Sequence, residues 1–173
     1  MTAEEFLTLH GHESSIELVK GRVVQCPMRG GKHGQVCATA GFIIHDAAKR
    51  THSGRVMLDT YVWISSDTIR AADVCYLSYT RLSKDHELPD GPLTAPDLVI
   101  EVRSHTEDFQ ELAAKAPEYI GVGVAVVVIV DPETQTVAVY RNDDPPVELG
   151  SDEVLTLPDV LPGFTVPIRA FFE

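Results

Sequence analysis

Cysteine is scarce in this sequence, and what there is does not pair off. Cys26, Cys37 and Cys75 are the only three in 173 residues. A disulfide framework is therefore excluded, and none of them stands in a Cys-x-x-Cys spacing that would mark a zinc site. They read as reduced, small core residues of a cytoplasmic protein. Long hydrophobic runs are missing too. The longest, Val122–Val130, has Gly123 inside it and falls well short of the roughly 20 apolar residues that a membrane span needs. It predicts a buried strand, and no membrane partner. The opening residues MTAEEF are acidic where a secretory leader is basic.

Positive charge is also in short supply. Fourteen Lys/Arg face 26 Asp/Glu, for a net charge of −12. Residues 1–90 are nearly neutral, while residues 91–173 hold four bases against fifteen acids. So acidic a chain is a poor nonspecific ligand for a phosphate backbone. Any DNA contact rests on Lys20, Arg22, Arg29, Lys32, Lys49, Arg50, Arg55 and Arg70. Several motifs are absent: the GGKHG run lacks the P-loop spacing, there is no Gly-x-Ser-x-Gly elbow, and no dinucleotide fingerprint or aromatic RNA platform is found.

What is present is an ordinary globular balance, 44% hydrophobic and 23% charged. Residues 1–173 have the length of one domain. A chain this long buries about two-thirds of its unfolded surface, enough for a core without staples. Thr2 and Glu5 have capping-box spacing, which predicts a helix over Thr2–Leu9. In SIELVKGRVVQC, two alternating runs flank Lys20-Gly21, a tight hairpin turn. A helix is expected from about Lys32 to Thr51, with Val36, Ala40, Ile43, Ile44 and Ala47 at helical spacing. Strands follow at Arg55–Ile64 and Ile69–Ser78, then a loop over 80–95. Asp97–Arg103 is the next strand, and Thr106–Ile120 a helix marred by Pro117, which costs about 3 kcal/mol in a helix interior. Val124–Val130 and Thr136–Tyr140 form a hairpin, and short β segments close the chain near Val154–Leu157 and Phe164–Ile168. This order predicts a mixed α/β sheet with helices packed on it and an N-terminal β-hairpin.

The segment PDLVIEVRS, residues 96–104, is the most informative. Strand alternation places Asp97, Val99, Glu101 and Arg103 on one face, and Leu98, Ile100 and Val102 on the other. Charges on an otherwise apolar strand are costly unless paired or metal-bound. The segment is either an acid/base or metal site, or a self-satisfied Glu101–Arg103 cluster with Asp97 capping a turn; these residues alone do not choose. Asp73, sharing a face with Cys75 and Leu77, has the same two readings. Carboxylates on neighbouring strands could hold Mg²⁺. Lys115, fourteen residues beyond Glu101, is either a phosphate-stabilising charge or an i,i+4 partner of Glu111. His33 opens the second helix one turn before Cys37, and Glu17 lies on the first hairpin; by themselves they read as structural and solvated.

Taken in order, these elements resemble the Uma2 family of restriction-endonuclease-like proteins, within the PD-(D/E)xK nuclease superfamily. The resemblance spans roughly residues 4–172: IELVKGRVV, His33 after the glycine loop, Asp73 leading a strand, PDLVIEVRS, a helix with Lys115 and Tyr119, Gly123-Val124, Val130-Asp131-Pro132, VAVYR and a closing LPGF. It implies a restriction-endonuclease-like mixed sheet flanked by helices, and metal-dependent hydrolysis of DNA with Mg²⁺ or Mn²⁺. Asp73 and Glu101 would be the metal-binding acids, and Lys115 a lysine moved onto the helix. Arg103 stands where the motif lysine would be; it can hold a phosphate but cannot exchange protons near neutral pH. Glu17 and His33 would be accessory at the same site, with Asp97 beside them on the strand. The superfamily resemblance also implies a homodimer. A nuclease-fold module that binds without cutting, and a phosphohydrolase acting on a small substrate, are the competing readings.

Overall fold

The computed structural model describes residues 1–173, and its first helix begins where the capping box predicts. In α1 (Ala3–His10) the Thr2 hydroxyl accepts from the Glu5 N–H at 3.2 Å, and the Glu5 carboxylate accepts the Thr2 N–H at 2.8 Å. The hairpin β1 (Ile16–Val19) and β2 (Arg22–Gln25) turns through Lys20 (φ 49°) and Gly21 (φ 76°). Two consecutive positive φ values suit the right-handed strand twist. The turn is held in place from outside, because the Lys20 N–H donates to Thr68 Oγ1 and the Gly21 N–H to the Asp67 carbonyl.

Helix α2 (Gly31–Thr51) buries Val36, Ala40, Ile44, Ala47 and Ala48, one stripe at helical spacing. It is followed by β3 (Gly54–Ser65), β4 (Thr68–Ser78) and β5 (Leu98–Val102), with the expected loop over 80–95 between the last two. The helix predicted over Thr106–Ile120 is two short ones, α3 (Phe109–Ala113) and α4 (Lys115–Gly121), hinged at Ala114. The break accommodates Pro117. It falls in the first turn of α4, where an N–H has no intrahelical partner to lose. The real start is also later than predicted: Asp108 caps α3 by accepting from the Gln110 and Glu111 N–H groups.

Strands β6 (Val126–Asp131) and β7 (Thr136–Arg141) form the predicted hairpin. Strand β8 (Val147–Leu149), not anticipated, adds an edge; β9 (Val154–Thr156) and β10 (Thr165–Pro167) pair separately, before a 3₁₀ turn at Ile168–Phe171. The main sheet runs β2-β1-β4-β5-β6-β7-β8, with β3 also on β4. It is mixed: β5 and β6 are parallel, the other pairs antiparallel.

Alternation divides the core between the two faces of this sheet. Val74, Ile100 and Val128 pack under α2 with Val36, Ala40 and Ile44. Cys75, Val99 and Val127 pack on the opposite face under α4, with Ala116 and Tyr119. One flank of β4 changes neighbour along its length. It pairs with β1 at Ile69 and with β5 from Val74 to Tyr76. Between them, Arg70–Asp73 face a gap in the sheet. No helix is long and apolar enough to cross a membrane.

Candidate functional site

The gap between β1 and β5 leaves backbone donors that no strand accepts, and carboxylates accept them instead. The Ala71 N–H donates to Glu17 Oε1 at 3.1 Å, and the Val102 N–H donates to Asp73 Oδ2 at 2.8 Å. Buried backbone groups are obligatorily paired, so these acids are structural parts of the gap as well as its charge. The β4–β5 register matches Val74 with Ile100 and Cys75 with Val99. One step further, it sets Asp73 across from Glu101 on the face that α4 covers.

Asp73, Glu101 and Glu17 are all buried. Glu101 Oε1 accepts the Tyr119 hydroxyl at 2.6 Å, and its other oxygen receives no hydrogen bond. Burial pushes the Glu101 carboxyl up to about 8; the Lys115 charge pulls it down, while Asp73 and Glu17 add to the rise. Burial and the Glu101 charge together hold the Tyr119 hydroxyl far above its ordinary value, so it stays a donor.

The cations come from distant segments. Lys115 Nζ, at the start of α4, lies 3.1 Å from Glu17 Oε1, and an Arg70 terminal nitrogen lies 2.8 Å from Glu17 Oε2. Arg70 also grips Glu118 with two nitrogens, at 2.7 and 2.9 Å. Burial works to raise the Glu17 carboxyl, but Lys115 and Arg70 outweigh it and hold it below the ordinary range. Lys115 is the converse. Burial works to lower its ammonium, but Glu101 and Glu17 outweigh that and keep it charged.

From the opposite face of the sheet, α2 delivers His33, whose Nε2 lies 3.3 Å from Asp73 Oδ2. Arg29, in the loop before α2, bridges two acids. It is 2.6 Å from Asp59 Oδ1 and 3.3 Å from Asp73 Oδ1. Asp59 has a positive φ of 49°, an uncommon conformation for a non-glycine residue in a strand. A cavity of ≈ 20 Å³ opens among Arg29, His33, Asp73, Glu101, Ser104 and Lys115. That is room for about one water-sized occupant. Ser104 Oγ is buried there with no hydrogen-bond partner, which marks a place for an occupant that can supply one.

Asp73, Glu101, Lys115 and His33 thus share one cavity wall, with Glu17 hydrogen-bonded to Lys115. Two candidates from the same strand lie elsewhere. Asp97 precedes β5, accepts the Ser78 N–H at 2.7 Å and pairs with Arg81 Nε at 2.9 Å. It holds the end of β4 and Arg81 rather than a turn in its own segment. Arg103 follows the last residue of β5, and its side chain engages other partners than Glu101. Its Nε donates to the Glu107 carbonyl at 2.9 Å, and a terminal nitrogen lies 3.0 Å from Asp131 Oδ2. The self-satisfied Glu101–Arg103 cluster does not form. Lys115 does not pair with Glu111 either, because the hinge at Ala114 takes it out of that helix. Glu17 is buried, not solvated. Arg29 and Arg70 were legible only as bases, and nothing in the sequence singles out Ser104. Cys37 carried a signal: it follows His33 by four residues, one turn along the same helix face.

A family model described as Uma2, "Putative restriction endonuclease", matches residues 3–169. Among solved structures, a protein titled "putative nuclease belonging to DUF820" from Anabaena variabilis ATCC 29413 is similar at a TM-score of 0.89 and 24% identity. The match covers 99% of this chain and 97% of that one. The mixed α/β fold expected from the sequence is thereby borne out. No curated protein matches.

Proposed function

The chain belongs to the Uma2 family, and from that premise we propose that it is a metal-dependent endonuclease hydrolysing DNA phosphodiester bonds. One observation carries this reading: two buried carboxylates, Asp73 and Glu101, across from each other on β4 and β5, beside a water-sized cavity that Lys115 also lines. The donor set is oxygen-rich, with both acids, the Val102 carbonyl and the orphaned Ser104 hydroxyl at hand, which suits Mg²⁺ or Mn²⁺. Bound there, such an ion would lower the pKa of a water and neutralise phosphate charge.

The chain's own residues do the rest. The Tyr119 hydroxyl and the Val102 N–H orient the two acids. Glu17 and Arg70 fix Lys115, and because its neighbours keep the ammonium charged it serves as an electrostatic stabiliser of the pentacovalent phosphate rather than a base. The rim offers further phosphate contacts. Lys32, Arg103 and His105 line a shallow pocket that shares His33 with the site. The first turn of α2, without a side-chain cap, presents its N–H groups there. A homodimer belongs to the same reading, because cutting both strands of a duplex takes two sites and twofold pairing is the commonest assembly. Light scattering at assay concentration is expected to give twice the mass of the chain.

The deciding experiment is a calorimetric Mn²⁺ titration of the wild type and of Asp73→Asn/Glu101→Gln, paired with plasmid cleavage. Saturable binding and cleavage are expected in the wild type, both lost in the double variant. Cleavage is expected to fall on the order of 10²-fold or more in Lys115→Met. The second reading, a nuclease-fold module that binds without cutting, rests on Arg29 already occupying Asp73. A folded wild type that neither binds Mn²⁺ nor cleaves DNA would select it.

A further inference from the structure

Cys37 has no part in the mechanism above, yet its sulfur stands beside the residues that would hold the metal. His33 Nδ1 and Nε2 lie 3.5 and 3.7 Å from Cys37 Sγ, and His33 Nε2 lies 3.3 Å from Asp73 Oδ2. All three residues offer ligand atoms within 4.8 Å of one another. A tetrahedral Zn²⁺, with its ordinary bonds to nitrogen, oxygen and sulfur, separates its N and O ligands by about 3.4 Å and its N and S ligands by about 3.6 Å. The imidazole Nε2 already stands at nearly those spacings from the carboxylate and the thiol, and the thiol and carboxylate ligand atoms lie within 4.8 Å of each other.

We propose that His33, Cys37 and Asp73 form a second metal site, selective for thiophilic divalent cations of the Zn²⁺ type, which takes Asp73 away from the Mg²⁺/Mn²⁺ pair. Selectivity follows from the ligands. A thiolate is a soft donor that Zn²⁺ and Co²⁺ accept, whereas Mg²⁺ and Mn²⁺ favour the oxygens on the Glu101 side. Three protein ligands leave the fourth position to water. As the metal–sulfur bond forms, the thiol proton passes to solvent, and His33 ligates as neutral imidazole. Arg29 stays on the other oxygen of Asp73, Oδ1. The helix supplies two ligands one turn apart and β4 supplies the third, so binding would also pin α2 to the sheet at the gap. Because Asp73 cannot serve both ions fully, zinc acts as an off-switch for cleavage. That regulatory half rests on the nuclease reading; the site itself does not.

The test uses Co²⁺ as the spectroscopic stand-in, on the wild type, Cys37→Ser, Cys37→Ala and Cys26→Ser, each first shown to unfold cooperatively. Cys26 is the control, since it lines the ≈ 20 Å³ cavity and is the other thiol at hand. A thiolate-to-cobalt charge-transfer band is expected in the wild type and in Cys26→Ser, absent from both Cys37 variants, and displaced by stoichiometric Zn²⁺. Zn²⁺ is expected to inhibit Mn²⁺-dependent cleavage by the wild type, with about tenfold or more of that sensitivity lost in Cys37→Ser at an unchanged Mn²⁺ rate. No band in the folded wild type, a band that survives in the Cys37 variants, or one lost in Cys26→Ser would overturn the site. A band without any Mn²⁺-dependent cleavage would uphold the site and remove the nuclease reading; cleavage without a band would do the reverse.

Discussion

Replacing Arg70 by methionine is expected to lower stability by about 3–5 kcal/mol at neutral pH. Arg70 is the one cation that touches both Glu17 and Glu118. Methionine keeps much of the buried volume but none of the charge. Glu118 is partly exposed and turns to water at little cost. Glu17 cannot, because its Oε1 is tied to both the Ala71 N–H and Lys115 within the sheet gap. It is left buried with one cation instead of two, and an under-compensated buried charge is among the costliest single defects. At this chain length the loss is on the order of 10 °C in Tm. The pH dependence identifies the cause. The Glu17 carboxyl is held below the ordinary range in the folded protein. Its pairing therefore contributes stability above the unfolded carboxylate pKa, and that contribution is lost as pH falls through the lower folded value. The deficit of Arg70→Met against wild type should be full at pH 7 and shrink as pH falls through and below the ordinary carboxylate range, as Glu17 protonates. A deficit that stayed constant from pH 7 to pH 3 would mean that lost packing, not lost charge, is responsible.

Glu101→Gln is expected to do the opposite, stabilising the protein while abolishing metal binding. Burial pushes this carboxyl up to about 8 from an ordinary 4.5. Ionising it in place is therefore costly, because the charge is taken out of water next to two other carboxylates. Its sign is opposite to that of Glu17. The native state holds the proton more tightly than the unfolded chain does, so wild-type stability is full below pH 4.5 and falls as pH rises towards 8. Glutamine cannot ionise, and its amide oxygen can still accept the Tyr119 hydroxyl. The variant should therefore match the wild type near pH 4.5 and exceed it in Tm by several degrees at pH 8 to 9. Added Mn²⁺ should raise the wild-type Tm at pH 8, by offsetting the buried charge, and leave the variant unmoved. A protein that gains stability as it loses its ligand has been holding strain for function. Thermal scans across this pH range, with and without Mn²⁺, decide it; a variant less stable than wild type at pH 8 would show that the ionised carboxylate is compensated within the protein.

The resemblance of the ordered motifs already pointed to Asp73, Glu101 and Lys115 as one constellation. What it could not supply is how they are held. Glu17 meets Lys115 across 98 residues of chain, and no local pattern encodes a pair at that separation. The two candidates that left the site, Asp97 and Arg103, sit one residue beyond either end of β5. Each is claimed by a partner outside the site, Arg81 for Asp97 and Asp131 for Arg103, and no pattern within the strand encodes those partners.

By itself the sequence determined whatever a few neighbouring residues control. The capping box sets the start of α1, Lys20-Gly21 turns the first hairpin, the apolar stripe of α2 is present at helical spacing, and strand period two puts Glu101 with Val99 and Asp73 with Cys75. Each is a local rule of backbone geometry or side-chain direction, readable without knowing what lies opposite. Only the tertiary structure decided the gap between β1 and β5, the acids that fill it, the hinge at Ala114 that frees Lys115 from Glu111, the orphaned Ser104 hydroxyl, and the meeting of Cys37 with Asp73 through the sheet. These depend on strand register and on helices arriving from both faces. Burial then gives the charges a worth they lack in water: beside the same neighbours, an exposed Glu17 or Glu101 would be an ordinary solvated carboxylate.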